Sequence, residues 1–217
     1  MTQHILIIGA GGHGQVVADI LVQAIASGVD YRLIGYLDDN PQRHGQRVLG
    51  LPVLGPVTAL NTIPHDGLII AIGDNRLRAR LFAELTARSE RFINAIHPSA
   101  IIAPDVVIGP GVVIGPGVII NTGSIIGANT ILNTSCTVDH HNQISDHVHI
   151  APGVHTGGEV EIDTGALIGI GAIVMPRCRV GAWSVVGAGA LVQRDVAADS
   201  VVIGVPARSL RHRAVGE

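Results

Sequence analysis

An aliphatic residue recurring at a strict interval of six governs the second half of the chain. Ile102, Ile108, Ile114, Ile120, Ile126, Leu132, Val138, Ile144 and Ile150 fall on it. After Thr156, the sole break, the register resumes at Ile162, Ile168, Val174, Val180, Val186 and Val192. The residues two earlier are mostly small, as at Ala100, Ser124, Thr130, Cys136, Ala166, Cys178 and Ala190. Helices repeat at 3.6 residues and strands at two, so neither produces this interval. A hexapeptide repeat does, and it implies a parallel β-helix in which each hexad forms one flat side and one corner. Three sides close a triangular coil, with the large aliphatic pointing to the prism axis and neighbouring coils supplying the core. The hexads predict about five coils stacked about 4.8 Å apart. In this reading the small residue fits the tight corner. Gly or Asn just after the aliphatic, as at Gly109, Gly115, Asn121, Gly127 and Asn133, tolerates a strained backbone. Such hexapeptide helices wind left-handed, against the usual crossover rule.

The repeat also explains an apolar composition that would otherwise suggest a membrane protein. Residues 98–120 are hydrophobic, but Pro104, Gly109, Pro110, Gly111, Gly115, Pro116 and Gly117 exclude a spanning helix. A net charge of −3, with 14% charged residues, leaves no broad basic face for nucleic acid or an anionic membrane. Two cysteines, Cys136 and Cys178, argue against a disulfide framework, and the N-terminus lacks a basic region and long apolar run of the secretory kind. The expected location is the cytoplasm.

Residues 1–95 have a different grammar. Short apolar strands are predicted at 4–8, 32–37 and 67–72, and helices at 14–27 and 75–89. Val16, Val17, Ile20, Leu21 and Ile25 would form the apolar face of the first helix. Leu77, Leu81, Phe82 and Leu85 would form that of the second. This alternation predicts a small Rossmann-like parallel sheet with flanking helices, followed over 96–217 by the β-helix and a C-terminal tail. Gly9, Gly11 and Gly14 satisfy G-x-G-x-x-G between the first strand and the first helix, and Asp38 follows the second strand. That pattern suggests a dinucleotide site and an oxidoreductase. Only one half of a full dinucleotide fold fits before residue 98, however, and bare amides at a helix N-terminus attract any phosphate.

The motifs Gly9-Ala10-Gly11-Gly12-His13-Gly14, Leu37-Asp38-Asp39, Ala71-Ile72-Gly73-Asp74-Asn75 and Ile96-His97-Pro98-Ser99-Ala100 run in order along the chain. Asn133-Thr134, Val138-Asp139-His140 and Ile203-Gly204-Val205-Pro206-Ala207-Arg208 follow them. In this order and spacing they resemble the hexapeptide-repeat sugar acetyltransferases. That family includes sialic acid O-acetyltransferases and the N-acetyltransferases of UDP-4-amino sugars and GDP-perosamine. The resemblance implies acetyl-CoA as co-substrate, no required metal, and a nucleotide-linked 4-amino-4,6-dideoxy sugar as acceptor. It makes Gly12, His13, Gly14, Asp38 and Asp39 sugar-nucleotide contacts, with Gly73 on the same rim. It places His149 near the thioester and the coenzyme groove along Gly158, Ile170 and Ala188. It also implies a homotrimer with active sites between subunits.

Eleven histidines are many for this length, and His140, His141, His147, His149 and His155 crowd together in the sequence. One reading is a solvated coil, a second is zinc held between subunits, and a third is acid–base chemistry. An amine attacking a thioester must lose a proton, and a histidine at His140 suits that task near neutral pH. The two cysteines occupy small-residue slots, so direct attack is expected rather than an acyl-enzyme. Relatives usually carry an acid directly after the catalytic histidine; here that residue is His141, and Asp139 is the adjacent carboxylate. Arg208, Arg211 and Arg213 are either coenzyme phosphate contacts or a solvated tail. The competing functions are sugar O-acetylation and non-catalytic binding of a sugar nucleotide.

Overall fold

The computed structural model describes residues 2–212. The chain divides into two compact units, Met1–Pro98 and Ser99–Glu217.

The first unit is a five-stranded sheet. Its elements are β1 (Gln3–Ile8), α1 (Gly12–Ala26), β2 (Tyr31–Leu37), β3 (Arg47–Val48), β4 (Leu51–Gly55), β5 (Gly67–Ile70) and α2 (Asn75–Ala87). The strand order is β3-β4-β2-β1-β5, parallel except where β3 and β4 form an antiparallel hairpin. Interior strand β1 is buried on both faces, from Ile5 to Ile8, as a covered parallel strand must be. Leu6 and Ile8 join Leu37, Leu68, Ile70 and Leu85 of α2 in one core cluster. The buried stripe of α1 is Val17, Ala18, Ile20, Leu21 and Ala24, so Val16 and Ile25 fall off the expected face. In α2, Leu85 is buried but Leu77 is exposed.

The second unit is a left-handed parallel β-helix. From residue 101 to residue 192 every side is a two-residue strand paired with residues eighteen positions away, as in Ile119↔Thr137 and Ile131↔His149. In the last coil the spacing shortens to sixteen, as in Val185↔Val201, and an antiparallel strand closes the end. Three columns of strands result. Residues 101–102, 119–120, 137–138, 155–156, 173–174 and 191–192 form the first; the second starts at 107–108 and the third at 113–114. The aliphatics of the repeat fill the axis: Ile114, Leu132, Val138, Ile150, Ile162, Ile168 and Val180 are all fully buried. Burying such a side chain is worth about 1.5–3 kcal/mol, far more than a two-residue strand gains alone.

The two glycine-rich positions of the hexad differ from the sequence expectation. Left-handed backbone falls three residues before the aliphatic, not just after it: Gly111, Gly117, Gly123, Asn129, Ser135, His141, His147 and Gly153 all have φ between 55° and 74°. Where the residue just after the aliphatic is glycine, it gives clearance. A Cβ at Gly127 would come 2.5 Å from the backbone of Ser145 and Asp146 on the next coil, and one at Gly181 would come 2.4 Å from Ala198 N.

These registers predict opposite outcomes for two substitutions. Gly153 needs only φ +66° and has open space, so Gly153→Asn changes stability by no more than about 0.5 kcal/mol. Gly127→Ala forces adjacent coils apart and costs about 1–3 kcal/mol. Thermal and denaturant unfolding of the two variants checks this.

Candidate functional site

The loop from β1 to α1 builds a cleft of about 400 Å³ in the first unit. Gly9 has φ +104°, and a Cβ there would meet Ala71 O at 2.9 Å; one at Gly14 would lie 2.1 Å from Gly9 O. These two glycines let helix, strand and neighbouring loop close up, leaving Gly11 and Gly12 on the cleft wall. Gly12, His13, Asp38, Asp39 and Gly73 all line the cleft, as the sequence suggests, but Gly14 does not: it is a packing residue under Gly9. Arg43 and Asn40 complete the wall on the Asp38 side.

Asp38 acts as the tie of this cleft. Its carboxylate accepts the N–H of Ala10 at 2.8 Å, the N–H of Asn40 at 2.9 Å and the Arg43 guanidinium at 2.8 Å. Burial alone would raise its pKa; the Ala10 and Asn40 amides and Arg43 outweigh that and hold it below the usual carboxylate value. Asp39 accepts from Val57 N at 2.8 Å. Helix α1 starts at Gly11 with no side-chain cap and no acid in its first turn. The positive end of its dipole therefore meets Arg43, which lies against Gly11. The imidazole of His13 is pushed down to about 4, first by burial and then by the charge of Arg78, so it is neutral at pH 7. Arg78, itself buried, donates to Ile72 O at 3.1 Å and so fixes the loop that carries Gly73. The cleft combines helix amides and neutral polar groups with the Arg43 cation and two carboxylates, Asp38 and Asp39, of which Asp38 is tied to Arg43. The amides suit a phosphate, and the carboxylates suit hydroxyl or N–H donors of a nucleoside.

In the second unit the Asp139–Asn142 corner carries a concentration of polar contacts. Asp139 Oδ1 accepts the main-chain N–H of His140 and the Asn121 amide, both at 2.8 Å, and so does not touch the His140 ring. The carboxyl of Asp139 is held low mainly by Asn121, then by the His140 amide. Asn142, fully buried, donates to Asp139 O at 2.7 Å and Gly157 O at 2.8 Å; Ser124 Oγ donates to Asp139 O at 2.9 Å. Thr156 leaves its coil closed. Its strand pairs in register on both sides, and its buried hydroxyl lies 3.4 Å from Asp139 N as acceptor. The exposed His140 ring rests on Gly158 of the next coil, where a Cβ would come 2.4 Å from Cε1 and Nε2. Gly158 is thus a shelf for the imidazole. Asn142, absent from the expected site, was signalled by its side chain: it alone puts an amide into the small-residue slot.

The remaining positions spread around the prism. Ile170 and Ala188 stack on adjacent coils at the corner between the third and first columns, and Ile170 is exposed. His149 lies in the third column, its Nε2 3.3 Å from Asn133 Nδ2. A single chain therefore joins His140 with Gly158, and Ile170 with Ala188, but sets these pairs at different corners. His147 meets Asn129 at 2.9 Å and His155 meets Thr137 at 2.8 Å, each on a separate side or corner. Among the described residues no three His, Cys, Asp or Glu gather closely enough to hold a metal ion, and no helix is long and apolar enough to cross a membrane. Both cysteines are buried. Burial pushes the Cys136 thiol up to about 12, and burial with the charge of Asp195 raises that of Cys178, so neither presents a thiolate. Arg208 is exposed and donates to Ala207 O; Arg213 and the Arg211 side chain lie outside the described residues.

The Asp38 tie predicts a pH-dependent stability. A carboxyl lowered in the folded state stabilises fully above its unfolded value near 3.9, and that stabilisation is lost as pH falls through the lower folded value. Asp38→Asn therefore destabilises by about 1–3 kcal/mol at pH 7. The gap from the unaltered protein begins to narrow only below about pH 4 and closes once the pH is below the lowered folded value, which denaturant titrations from pH 7 down into that range measure.

Comparison with known proteins agrees with this architecture. Residues 4–85 match the family model of the PglD N-terminal domain. UDP-N-acetylbacillosamine N-acetyltransferase of Bacillus subtilis (strain 168) is 38% identical over 103 residues, a match that spans 46% of this chain and 46% of that enzyme. PerB from Caulobacter crescentus, solved in complex with CoA and GDP-perosamine, superposes with TM-score 0.89 at 37% identity, covering 97% of this chain and 99% of that one. The acetyltransferase domain of PglB from Neisseria gonorrhoeae FA1090, solved with acetyl coenzyme A, gives TM-score 0.89 at 32% identity, over 97% and 100% of the two chains. Sharing both units with these enzymes along almost its whole length, the chain belongs to the hexapeptide-repeat sugar acetyltransferases.

Proposed function

We propose that the protein transfers the acetyl group of acetyl-CoA to the amine of a nucleotide-linked 4-amino-4,6-dideoxy sugar, with His140 as general base. The observation that carries this reading is the braced corner: Asp139, Asn142, Ser124 and Thr156 all hold the turn that presents an exposed imidazole on the Gly158 shelf. A protein that only bound sugar nucleotides would gain nothing from that bracing. In this reading the glycine-loop cleft seats the nucleotide diphosphate, through the α1 amides and Arg43.

The transfer needs no covalent enzyme intermediate. The amine nitrogen attacks the thioester carbonyl carbon, and its proton passes to Nε2 of His140 as the C–N bond forms. The tetrahedral oxyanion collapses, the C–S bond breaks, and the sulfur leaves as thiolate that takes a proton back from the imidazolium. Buried, protonated Cys136 and Cys178 have no part in it. A backbone N–H, or the His149 ring, would steady the oxyanion. Because His140 and Ile170 with Ala188 occupy different corners of one prism, a complete site calls for a second copy. A homotrimer meets that need, and Ile101, Val107, Ile125 and Ile173 offer exposed aliphatic flanks for it. With acetyl-CoA and a nucleotide sugar as substrates, this reading calls for a cytoplasmic protein that serves the synthesis of an acetylated amino-sugar glycan.

CoA release from acetyl-CoA, measured against UDP-, GDP- and dTDP-linked 4-amino sugars and free sialic acid, tests this. Turnover with a nucleotide amino sugar, reduced by about 10²–10⁴-fold in His140→Ala, is expected. Turnover only with sialic acid would move the protein to O-acetylation. Silence across the panel from folded protein would contradict the transferase reading.

A further inference from the structure

His140 Nδ1 lies 3.1 Å from Nδ1 of His141, with the two rings nearly perpendicular and their centroids 5.3 Å apart. At that distance one Nδ1 carries hydrogen and the other a lone pair, since two N–H groups would face each other. A base working through Nε2 must carry its own hydrogen on Nδ1 and needs a partner to hold it there. The only neighbouring carboxylate in sequence, Asp139, is engaged with main-chain His140 N and Asn121 instead.

We propose that His141 is the positioning residue of the site: its Nδ1 accepts the Nδ1–H of His140 and fixes the tautomer that leaves Nε2 open to the sugar amine. The inference rests on the assignment of His140 as the base. The backbone is built for it. His141 occupies the left-handed register of the hexad, at φ +57°, which turns its side chain back along the corner. Its ring lies over Gly123 on the coil below, where a Cβ would come 2.6 Å from Cδ2. The two imidazoles are thus seated on two glycine shelves, Gly123 and Gly158, with their Nδ1 atoms facing.

The charged groups around the pair are compatible with a neutral acceptor that can share positive charge. Asp105, on the coil below, accepts from Thr122 Oγ1 at 2.6 Å and Gly123 N at 2.9 Å, next to the His141 shelf. Its carboxyl is held low mainly by Thr122, and the charge of His141 acts in the same direction. On the coil above, Glu159 is paired with Arg177 at 3.3 Å, and its N–H donates to His140 O at 2.9 Å. When Nε2 takes the substrate proton, the resulting imidazolium keeps its Nδ1–H on His141, with Asp105 behind. A carboxylate in the next position would do the same job with a full negative charge; here a second imidazole and a carboxylate one coil away share it.

Two substitutions test the role without straining the turn. His141→Gly suits φ +57° and removes the ring, and His141→Asp, also tolerated in that region, restores an acceptor. Steady-state kinetics and pH profiles are compared with those of the unaltered protein and of His140→Ala, with circular dichroism as a check on folding. His141→Gly is expected to lose kcat on the order of ten- to a hundredfold, a part of what a general base supplies, with KM for both substrates unchanged. His141→Asp is expected to recover most of that loss and to move the acid limb of kcat/KM to higher pH, as a carboxylate beside an imidazolium does. Unaltered kcat and pH profile in His141→Gly, with His140→Ala inactive, overturns the positioning role alone. Should His141→Gly not fold, an acid limb in His141→Asp identical to that of the unaltered protein overturns it. Full activity in His140→Ala removes the base assignment and this inference with it.

Discussion

The pairing of residues eighteen apart carries the second unit from residue 101 to residue 192. A two-residue strand has no stability by itself, so each side of the prism exists only because the coils above and below supply its hydrogen bonds and its axial aliphatic packing. This stacking converts sequence distance into spatial order. Residues 123, 141 and 159 share one column of left-handed positions, and 140 and 158 share the next. A side chain at a corner is therefore positioned by residues one turn away, and a glycine on one coil becomes the floor for a ring on another.

Function in such a lattice is added by breaking its rules locally. Two interior slots of the hexad depart from small or aliphatic residues in a way that packing alone does not explain: Asn142 in the small slot and Thr156 in the aliphatic slot. Both polar groups converge on the Asp139–His140 turn, one through an amide spread over two coils' carbonyls and the other through a hydroxyl against Asp139 N. Burying an amide and a hydroxyl costs stability unless they are bonded. Asn142 Nδ2 and the Thr156 hydroxyl are bonded at this turn, while the buried Asn142 Oδ1 has no partner among the described residues, so the turn that displays the imidazole is held at a cost in stability. The first unit follows a parallel logic. Asp38 gives its whole carboxylate to tying the glycine loop, Asn40 and Arg43 together, so the contacts left for a ligand are the helix amides and the polar rim.

The β-helix is legible from the sequence because its period is unlike any other and repeats sixteen times. The glycine loop and the aspartates that line the cleft are legible as a local turn because turn chemistry is local: Gly12, His13, Asp38 and Asp39 share one cleft, while Gly14 is clearance for Gly9 O. What sequence spacing does not give is the reason for each glycine. Gly127 and Gly123 flank Ile126 in two different slots of the hexad; one is glycine to avoid a clash, and the other also supplies φ +71°. The β3–β4 hairpin is missed because Pro52 interrupts a short strand that tertiary pairing nevertheless recruits. The partner of the His140 ring is missed for a deeper reason. Asp139 and His141 are both adjacent in sequence, and only the left-handed turn decides which of them points at the imidazole.

The proposed function requires the braced corner to deliver His140 to the reacting amine. A crystal structure of the protein with CoA and the 4-amino sugar nucleotide it turns over tests it most directly. The account predicts the amine nitrogen within about 3.2 Å of His140 Nε2, with the coenzyme sulfur alongside. An amine lodged at a different corner of the prism, with His140 facing only solvent, would contradict it.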